Sequence, residues 1–460
     1  METTNEAQAS RNKNLIYFLG SLVVAILATW VIRDPSFTRQ QTLVMFLLIF
    51  SVGLWLTEAV PPFSVGLMII AFLFFTQGKE LFVIVPAEVG VYVNMFSSSV
   101  IWLLLGGFFF STAMTKTQLD KVLIDYALKI CGNDPKWILF GIMAVTMITS
   151  NLISNTATTA MVLAAVMPII LILGKESSVS KGLILGIPLS ATTGGMGTLV
   201  GTPPNPIAAD ALVKAGQPID FTSWMYYGLP LAIILTFIAW MVLVRMFMKN
   251  APPLAIKAAG EGPAAANVNK THRSIVILVL VVTILMWLSN PLHGLSAAAV
   301  SAIPLVAFTL CGIITGMDVQ AMGWDTLLLV AGGLALGKGL QEAGLLDYYA
   351  AKIATIEIPN YVFYLVLGYA TMLFSNIMSG TATCTVLIPL GMAILPEHKT
   401  EVAMIIALSA SCGLALPVSC PPNAIVYSTG LIKQKELMIG GALIGLLGPL
   451  LIFFWVMAIS

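Results

Sequence analysis

The chain has 460 residues, of which 58% are hydrophobic and only 9% are charged, and its mean hydropathy is +0.96. A water-soluble fold cannot bury that much apolar surface, so the composition predicts an all-α membrane protein with many spans. The net charge of +1 gives no electrostatic basis for nucleic-acid binding, and the five cysteines and three histidines show no metal-binding or disulfide spacing.

The first part of the chain predicts four membrane spans and one surface helix. Residues 1–13 are polar and lack a cleavage signature, so we expect no signal peptide. The four candidate spans lie at 15–32, 42–55, 63–75 and 100–114. The next stretch, 116–129, alternates apolar residues with lysine and aspartate, which predicts an amphipathic helix on the membrane surface. A solvated loop helix is the alternative for this stretch.

A polar motif then interrupts an apolar run at 137–173. The motif reads Ser-Asn-Leu-Ile-Ser-Asn-Thr at 150–156, and polar side chains at such depth are costly and usually mark a site. The run has about 37 residues, whereas two full spans would need nearly 40 residues and a turn. We therefore predict a re-entrant hairpin whose two arms stop near the membrane midplane, with the polar motif as its tip.

An interrupted span follows at 183–213. The sequence Gly-Thr-Pro-Pro-Asn at 201–205 removes two backbone donors and stops the helix, so we expect a break at mid-membrane depth. A further span is predicted at 226–248. The longest polar stretch, 249–273, comes next and is interpreted as a linker between two halves.

The second half repeats this order of elements. It predicts spans at 275–288, 297–314 and 326–340, a surface helix at 346–356, a second hairpin at 361–395, a second interrupted span that starts at 402, and a last span at 437–459. The second hairpin has Ser-Asn-Ile-Met-Ser-Gly-Thr at 375–381 at its centre, and the second interrupted span breaks at 418–423.

Four features recur in the same order in both halves, about 220 residues apart, and such parallel order indicates an internal duplication. They are the Gly-Gly pairs at 106 and 332, Leu-Asp at 119 and 346, Ser-x-Thr at 154 and 379, and Pro-Pro-Asn at 203 and 421. If each hairpin enters and leaves on one side, about eleven full spans remain and the two copies lie an odd number of spans apart. The second copy is then inverted, as is common in secondary transporters.

The distribution of basic residues predicts the orientation. A cytoplasmic N-terminus puts most of the 22 lysines and arginines on the cytoplasmic side, as the positive-inside rule requires of a protein in the inner (plasma) membrane. The first hairpin would then open from the cytoplasm and the second from the outside.

The two polar motifs contain hydroxyls, amides and glycines but no acidic, basic or histidine side chain. Without a nucleophile–base pair or a metal triad, catalysis is not expected, and proton coupling would need a buried titratable group. Unwound carbonyls with Ser, Thr and Asn oxygens suit Na⁺, and the N-termini of broken helices suit an anion. Hydrogen bonding between helices is the alternative role for the polar residues, and close packing for the Gly-Gly pairs. The duplication favours a binding site.

The residues around the first motif resemble a known family. Ser154, Asn155 and Thr156, followed by Ala-Thr-Thr-Ala, are similar to the Ser-Asn-Thr signature of the divalent anion–sodium symporter family. The sequence Pro-Val-Ser-Cys-Pro-Pro-Asn-Ala-Ile-Val at 417–426 resembles its second signature. The resemblance covers nearly the whole chain, and it implies Na⁺-coupled uptake of di- or tricarboxylates, or of sulfate in some branches.

The family resemblance also implies a homodimer in which a transport domain moves against a scaffold domain, the elevator mechanism. On that division, residues 1–13 form a cytoplasmic N-terminus, 14–132 and 223–357 form the scaffold domain with a cytoplasmic linker at 249–273, and 133–222 and 358–460 form the transport domain with the last helix. The implied partners are a dicarboxylate, Na⁺, membrane lipid and a second copy of the chain, with no nucleic acid.

Carried over by position, the resemblance implies two Na⁺ sites and one substrate site. The first Na⁺ site comprises Ser150, Ser154, Asn155 and the carbonyl group of Gly201. The second Na⁺ site comprises Ser375, the carbonyl group of Met378, Gly380 and Ser419. The substrate carboxylates are assigned to Asn155, Thr156 and Thr202 on one side and to Ser379, Gly380, Thr381 and Pro422 on the other.

Two residues depart from the family pattern, because Gly380 stands where Asn is expected and Cys420 stands where Thr is common. The first hypothesis is a Na⁺-coupled symporter of C4-dicarboxylates (succinate, malate, fumarate). The departures leave open a Na⁺-independent dicarboxylate exchanger, and a citrate or sulfate symporter of the same family. A channel would be expected to have a continuous polar stripe, whereas two hairpins that end at half depth indicate alternating access.

Overall fold

The computed structural model describes residues 2–76, 86–174, 176–249, 251–253, 269–354 and 358–460, and every regular element within these ranges is helical. Eight described segments are long and apolar enough to cross a membrane: Asn12–Ile32, Arg39–Thr57, Gly90–Lys116, Asn155–Leu173, Phe221–Phe247, Lys270–Leu288, Asn360–Met378 and Gln434–Ile459. Shorter apolar helices lie at Pro62–Thr76, Pro135–Ser150, Ala297–Leu310 and Gly380–Ile394. The prediction of an all-helical membrane protein is confirmed.

The described helices of the first half are α1 (Glu2–Ile32), α2 (Arg39–Thr57), α3 (Pro62–Thr76), α4 (Pro86–Val93), α5 (Ser99–Lys116), α6 (Leu119–Cys131), α7 (Pro135–Ser150), α8 (Asn155–Leu173), α9 (Ser178–Gly195), α10 (Pro204–Lys214) and α11 (Phe221–Phe247). Local signals set several of their ends. Thr38 caps α2 by accepting the N–H of Gln41, and Glu58 ends it in the left-handed conformation (φ 48°). Helix α3 then begins at Pro62. Proline is tolerated there because the N–H groups of the first helical turn have no partner within the helix.

The described helices of the second half are α12 (Lys270–Leu288), α13 (Asn290–His293), α14 (Ala297–Val300), α15 (Ala302–Leu310), α16 (Gly316–Gln320), α17 (Trp324–Glu342), α18 (Leu345–Ala354), α19 (Asn360–Met378), α20 (Gly380–Ile394), α21 (Lys399–Ala410), α22 (Pro421–Ser428) and α23 (Gln434–Ile459). Most of the predicted linker, 254–268, lies outside the described residues, as do the last two residues of the predicted surface helix at 346–356.

Both polar motifs interrupt a helix where the sequence predicts a tip. Helix α7 ends at Ser150 and α8 begins at Asn155, which leaves a first tip (residues 151–154). Helix α19 ends at Met378, and α20 follows after a second tip that consists of Ser379 alone. In each hairpin the two arms pack against each other. Arms α8 and α19 have 19 residues each, which is longer than predicted, and their re-entrant path through the membrane stays a prediction.

The first arms of both interrupted spans end earlier than predicted. Helix α9 ends at Gly195, although the sequence predicted a span to residue 200, and α21 ends at Ala410, although the prediction reached residue 416. The physical reason is an asparagine that lies further along the chain in each interrupted span. Its amide donates hydrogen bonds to two carbonyl groups that would otherwise accept from the N–H groups of a continuing helix.

The second arms likewise begin earlier than the apolar pattern indicates. Helix α10 starts at Pro204 and α22 at Pro421, because proline is favoured in the first turn, where no N–H is needed. Because the first arms end early, the unwound segments are nevertheless longer than the Pro-Pro-Asn motifs. We refer to residues 196–203 as the first break and to residues 411–420 as the second break.

The second arm of each interrupted span packs against the opposite half of the molecule. Helix α10 packs on α20 and α21, and α22 packs on α8 and α9. Each Pro-Pro-Asn arm therefore lies against the hairpin of the other repeat. This exchange brings both tips and both breaks into one region of the fold.

Glycines permit the closest helix contacts outside that region. A Cβ atom at Gly332 of α17 would overlap the backbone of Gly66 in α3, and one at Gly66 would lie 2.7 Å from the Leu328 carbonyl oxygen. A Cβ atom at Gly106 would lie 2.7 Å from the Cβ of Ser301. These contacts support close packing as the role of Gly106 and Gly332, the first glycines of the two Gly-Gly pairs.

Helix α11 packs against α7, α9 and α23. The division inferred from the sequence placed residues 223–357 in the scaffold domain, whereas these contacts group α11 with elements assigned to the transport domain. The division into scaffold and transport domains stays a prediction.

The amphipathic helix α18 is tied to the loop between α1 and α2. The Tyr348 hydroxyl donates to Asp34 Oδ2 at 2.7 Å, and the rings of Phe37 and Tyr348 meet edge-on with centroids 4.7 Å apart. That hydrogen bond, with those from Ser36, lowers the pKa of Asp34 to about 2. The position of α18 relative to the membrane surface stays a prediction.

The contact between α3 and α17 gives a testable prediction for stability. Gly332→Ala should destabilise the protein by about 1–3 kcal/mol, because the new methyl group has no space against the Gly66 backbone. Thermal unfolding of the purified protein in detergent measures the effect. Gly20→Ala is the matched control, since a Cβ atom there has no neighbour within 4 Å. Equal unfolding temperatures for Gly332→Ala and the control would contradict this account of the packing.

Candidate functional site

Two hydroxyl side chains fix the first tip, one from the tip itself and one from the first break. Ser154 Oγ accepts the N–H of Ala157 at 3.3 Å, which caps α8 and lets the helix restart inside an apolar run. The Thr198 hydroxyl in the break donates to the carbonyl group of Asn151 in the tip. The two unwound segments of the first repeat therefore form one structural unit.

Asn155 lies at the centre of a cluster of oxygen atoms. The Ser150 hydroxyl lies 2.5 Å from Asn155 Oδ1 and 2.7 Å from the carbonyl oxygen of Ala191. In the other orientation of the amide, its nitrogen takes the place of Oδ1 and lies 3.1 Å from the carbonyl oxygens of both Ala191 and Gly201. The cluster thus joins the end of α7, the start of α8, helix α9 and the first break. We refer to these four oxygen-bearing residues as the Asn155 cluster.

Two glycines make the Asn155 cluster possible. A Cβ atom at Gly195 would overlap the Asn155 amide, and one at Gly201 would overlap the Gly195 carbonyl group. Any side chain at either position would push these segments apart. The glycine-rich stretch is visible in the sequence, but its contact with Asn155 joins residues that are far apart in the chain.

The structure brings together three of the four residues predicted for the first Na⁺ site: Ser150, Asn155 and Gly201. The fourth, Ser154, is half-buried, and its hydroxyl is engaged in capping α8. Of the predicted substrate residues in this half, Thr202 is buried and Thr156 is exposed.

The second tip has a strained backbone. Ser379 adopts φ 77°, which is uncommon for a residue with a side chain, and its hydroxyl accepts the N–H of Ala382 at 3.4 Å to cap α20. One turn earlier, Ser375 is buried, and a Cβ atom at Gly413 of the second break would lie 2.7 Å from the Ser375 Cβ. Met378, whose carbonyl group was predicted as a ligand, is the buried last residue of α19.

Ser419 forms hydrogen bonds within the second break and with the first turn of α22. The Ser419 hydroxyl donates to the carbonyl oxygen of Leu416 at 2.7 Å and accepts from Asn423 Nδ2 at 3.2 Å. The neighbouring Cys420 Sγ lies 3.8 Å from the Thr192 hydroxyl, which connects this break to α9. Ser375 and Ser419, both predicted for the second Na⁺ site, thus contact different parts of the second break.

Gly380 places the second tip against the first repeat. A Cβ atom there would lie 3.4 Å from the Cβ and carbonyl oxygen of Ala410 and 3.6 Å from Pro204 Cγ. These are ordinary van der Waals distances, so the position has room for a small side chain. Thr381, the next residue, is half-buried, and Pro422 is buried in the first turn of α22.

The two repeats differ at the position of the tip amide. In the first repeat, the Ser150 hydroxyl is paired with Asn155. In the second repeat, Ser375 is the counterpart of Ser150 and Gly380 is the counterpart of Asn155. The Ser375 hydroxyl is buried without a hydrogen-bond partner among the described residues.

The Asn155 cluster is uncharged, and the described residues contain no cluster of three His, Cys, Asp or Glu side chains that could hold a metal ion. The acidic residue Asp210 lies in α10. It is only 8% exposed, and its carboxylate is paired with Lys214 at 2.7 Å. The Ser98 and Ser99 hydroxyls lie 3.4 and 3.5 Å from the same carboxylate.

The predicted site omitted the asparagines of the two Pro-Pro-Asn motifs. Asn205 and Asn423 are both fully buried, and each amide donates to two carbonyl groups of the interrupted span in which it lies. The signal for them was present in the sequence, because Asn closes the motif in both repeats. The motif was predicted only to interrupt a helix.

Known transporters are similar to this chain in sequence. The family model for the sodium:sulfate symporter transmembrane region matches residues 12–459. The sodium-dependent dicarboxylate transporter SdcS of Staphylococcus saprophyticus is 28% identical over 96% of this chain and 92% of the relative. The sodium-dependent high-affinity dicarboxylate transporter 3 of Caenorhabditis elegans is 27% identical over 75% of this chain and 71% of the relative.

The fold is also similar to that of a solved transporter. The structure of the Alcanivorax borkumensis YdaH transporter matches with a TM-score of 0.53 and covers 86% of this chain and 98% of that one. The two sequences are only 12% identical, so this likeness concerns the fold alone.

Proposed function

We propose that this chain, which belongs to the family of the sodium:sulfate symporter transmembrane region, transports C4-dicarboxylates into the cell together with Na⁺. Succinate, malate and fumarate are the substrates proposed. Two relatives named as sodium-dependent dicarboxylate transporters support this substrate class. The observation on which the proposal rests most is the uncharged Asn155 cluster at the first tip.

The chemistry of that cluster favours Na⁺ over a proton. Hydroxyl and backbone carbonyl oxygens converge with the Asn155 amide between broken helices, and secondary transporters coordinate Na⁺ with groups of this kind. Ser150 and Asn155 do not titrate in the accessible pH range, so this cluster cannot take up a coupling proton.

Helix N-termini support binding of a dianionic substrate beside the ions. Arms α8 and α20 begin at the two tips, and α10 and α22 begin at the two breaks. Each N-terminus presents a positive dipole end, and α8 and α20 also present free N–H groups because they do not begin with proline. Bound Na⁺ ions would offset the remaining charge of the two carboxylates. We therefore propose the substrate site at Asn155, Thr156, Thr202, Ser379, Gly380, Thr381 and Pro422.

The inverted repeat supports an elevator mechanism in a homodimer. In this proposal α7–α11 and α19–α23 form the mobile transport domain, which differs from the sequence-based division by including α11. Helices α1–α5 and α12–α17 form the scaffold, and the amphipathic α6 and α18 join the two domains. The N-terminus is placed in the cytoplasm, with about eleven spans and two re-entrant hairpins in the inner membrane.

The second repeat favours one alternative function. Because Gly380 has no side chain, the second Na⁺ site at Ser375, Met378, Gly380 and Ser419 lacks an amide ligand. Weak binding of the second ion would make a Na⁺-independent dicarboxylate exchanger the second candidate. Citrate and sulfate are the alternative substrates of a symporter with this site.

Uptake into proteoliposomes tests the proposed function. Radiolabelled succinate should accumulate with an inward Na⁺ gradient and remain near background with an equal K⁺ gradient, because only Na⁺ suits the Asn155 cluster. Unlabelled malate, citrate and sulfate serve as competitors to rank the substrates. Succinate uptake that is the same with Na⁺ and K⁺, and that requires unlabelled dicarboxylate inside the vesicles, would establish exchange instead.

Asn155→Ala tests the first site. Succinate uptake should fall by about 10–100-fold, because the change removes the amide that joins the proposed ion site to the proposed substrate site. Asn290→Ala, at the start of the short helix α13, is the control and should transport normally. Size-exclusion chromatography checks that the variant keeps the assembly state of the unmodified protein. Near-normal uptake by a folded Asn155→Ala protein would move the ion site elsewhere.

Gly380→Asn tests the asymmetry between the repeats. The new amide should give the buried Ser375 hydroxyl a partner and lower the Na⁺ concentration for half-maximal uptake by about fivefold. Gly380→Ala is the matched control, because it adds the Cβ atom, which has ordinary contacts of 3.4–3.6 Å, without the amide. If both variants have the same Na⁺ concentration for half-maximal uptake, the amide at this position has no part in ion binding.

A further inference from the structure

Asn205 makes an unusual connection at the first break. It lies in the first turn of α10 and is 0% exposed. Its Nδ2 donates to the carbonyl oxygens of Gly195 at 2.9 Å and Thr198 at 2.6 Å, which lie 10 and 7 residues earlier in the chain. One amide group thus satisfies two carbonyl groups that the end of α9 leaves without helical partners.

Asn423 makes the same connection at the second break. It lies in the first turn of α22 and is also 0% exposed. Its Nδ2 donates to the carbonyl oxygens of Leu414 at 2.9 Å and Leu416 at 3.0 Å, which lie 9 and 7 residues earlier. The side-chain oxygens of both asparagines are buried without a hydrogen-bond partner among the described residues. Two inverted repeats therefore contain the same bond pattern at the same place.

Each of these asparagines lies one contact away from a residue of a proposed ion site. The carbonyl group that Asn205 holds belongs to Gly195, which packs against both the Asn155 amide and Gly201. Asn423 donates at 3.2 Å to the hydroxyl of Ser419. Neither asparagine is among the residues assigned to bind Na⁺ or substrate. Asn205 can therefore affect binding through the backbone of the first break, and Asn423 can do so through the second break and through Ser419.

We propose that Asn205 and Asn423 are paired positioning residues that fix the shape of the two breaks, so that the oxygen atoms of Gly201 and Ser419 are held ready for the ions. The proposal rests on the proposed function. An unwound chain at membrane depth is stable only where its polar groups find protein partners. Each amide provides two donors from a single rigid group, so it fixes two carbonyl groups relative to each other as well as satisfying them.

The preorganisation has a measurable consequence for affinity. Without the amide, the break has to adopt its binding shape when Na⁺ arrives, and the cost of that ordering appears as weaker binding. Asn205→Ala should raise the Na⁺ concentration for half-maximal stabilisation by about tenfold. Asn423→Ala should raise the same concentration. Both variants should also lower the unfolding temperature measured without Na⁺, because two buried carbonyl groups lose their donors.

The experiment records the unfolding temperature of the purified full chain in detergent while NaCl replaces KCl at constant ionic strength. The readout is the Na⁺ concentration that gives half of the maximal stabilisation, which separates binding from stability. Gly332→Ala is the control, since it destabilises the protein at the α3–α17 contact without touching a break. It should lose stability and keep the Na⁺ half-saturation of the unmodified protein.

Serine variants keep the test decisive if the alanine variants do not fold. Asn205→Ser and Asn423→Ser retain one hydroxyl donor and should give intermediate half-saturation values. Unchanged half-saturation in all folded asparagine variants would overturn the positioning role and leave these residues purely structural. Absence of any Na⁺ stabilisation in the unmodified protein would instead contradict the proposed Na⁺ coupling, so the two failures are distinguishable.

Discussion

Backbone polar groups inside a membrane have to find partners within the protein, and this constraint governs the whole structure. Most of the chain satisfies it with continuous helices. The two tips and two breaks do not, so they are stable only where side chains and neighbouring segments supply the missing hydrogen bonds. Ser154, Ser379, Asn205 and Asn423 do so at the four interruptions. The exchange of α10 and α22 between the halves packs all four interruptions against protein.

The same interruptions create the binding chemistry. Breaking a helix frees carbonyl oxygens at one end and presents a positive dipole end at the other, so one device provides both cation ligands and an anion site. Because the repeat doubles this device, the proposed function lets Na⁺ and a dianion bind side by side with no charged residue in the Asn155 cluster. Gly380 stands where the first repeat has the Asn155 amide, so the two copies of this device are unequal.

The sequence predicted both tips and both breaks, because polar motifs and paired prolines stand out within long apolar runs. It did not predict the end of α9 at Gly195, since that end depends on Asn205, which lies beyond the break. The sequence likewise did not predict the contact between Gly195 and Asn155, because a periodic pattern does not show which distant residues meet. The grouping of α11 with α7, α9 and α23 was missed for the same reason, as chain order alone does not fix packing partners.

The central claim is that Na⁺ and a dicarboxylate bind to adjoining parts of one site. Equilibrium binding of radiolabelled succinate to the purified protein, measured over a range of Na⁺ concentrations, tests it most directly. The affinity for succinate should rise by about tenfold or more with Na⁺, and succinate should raise the affinity for Na⁺ by the same factor, because coupling free energies are reciprocal. A succinate affinity that is identical in Na⁺ and in K⁺ would contradict the account.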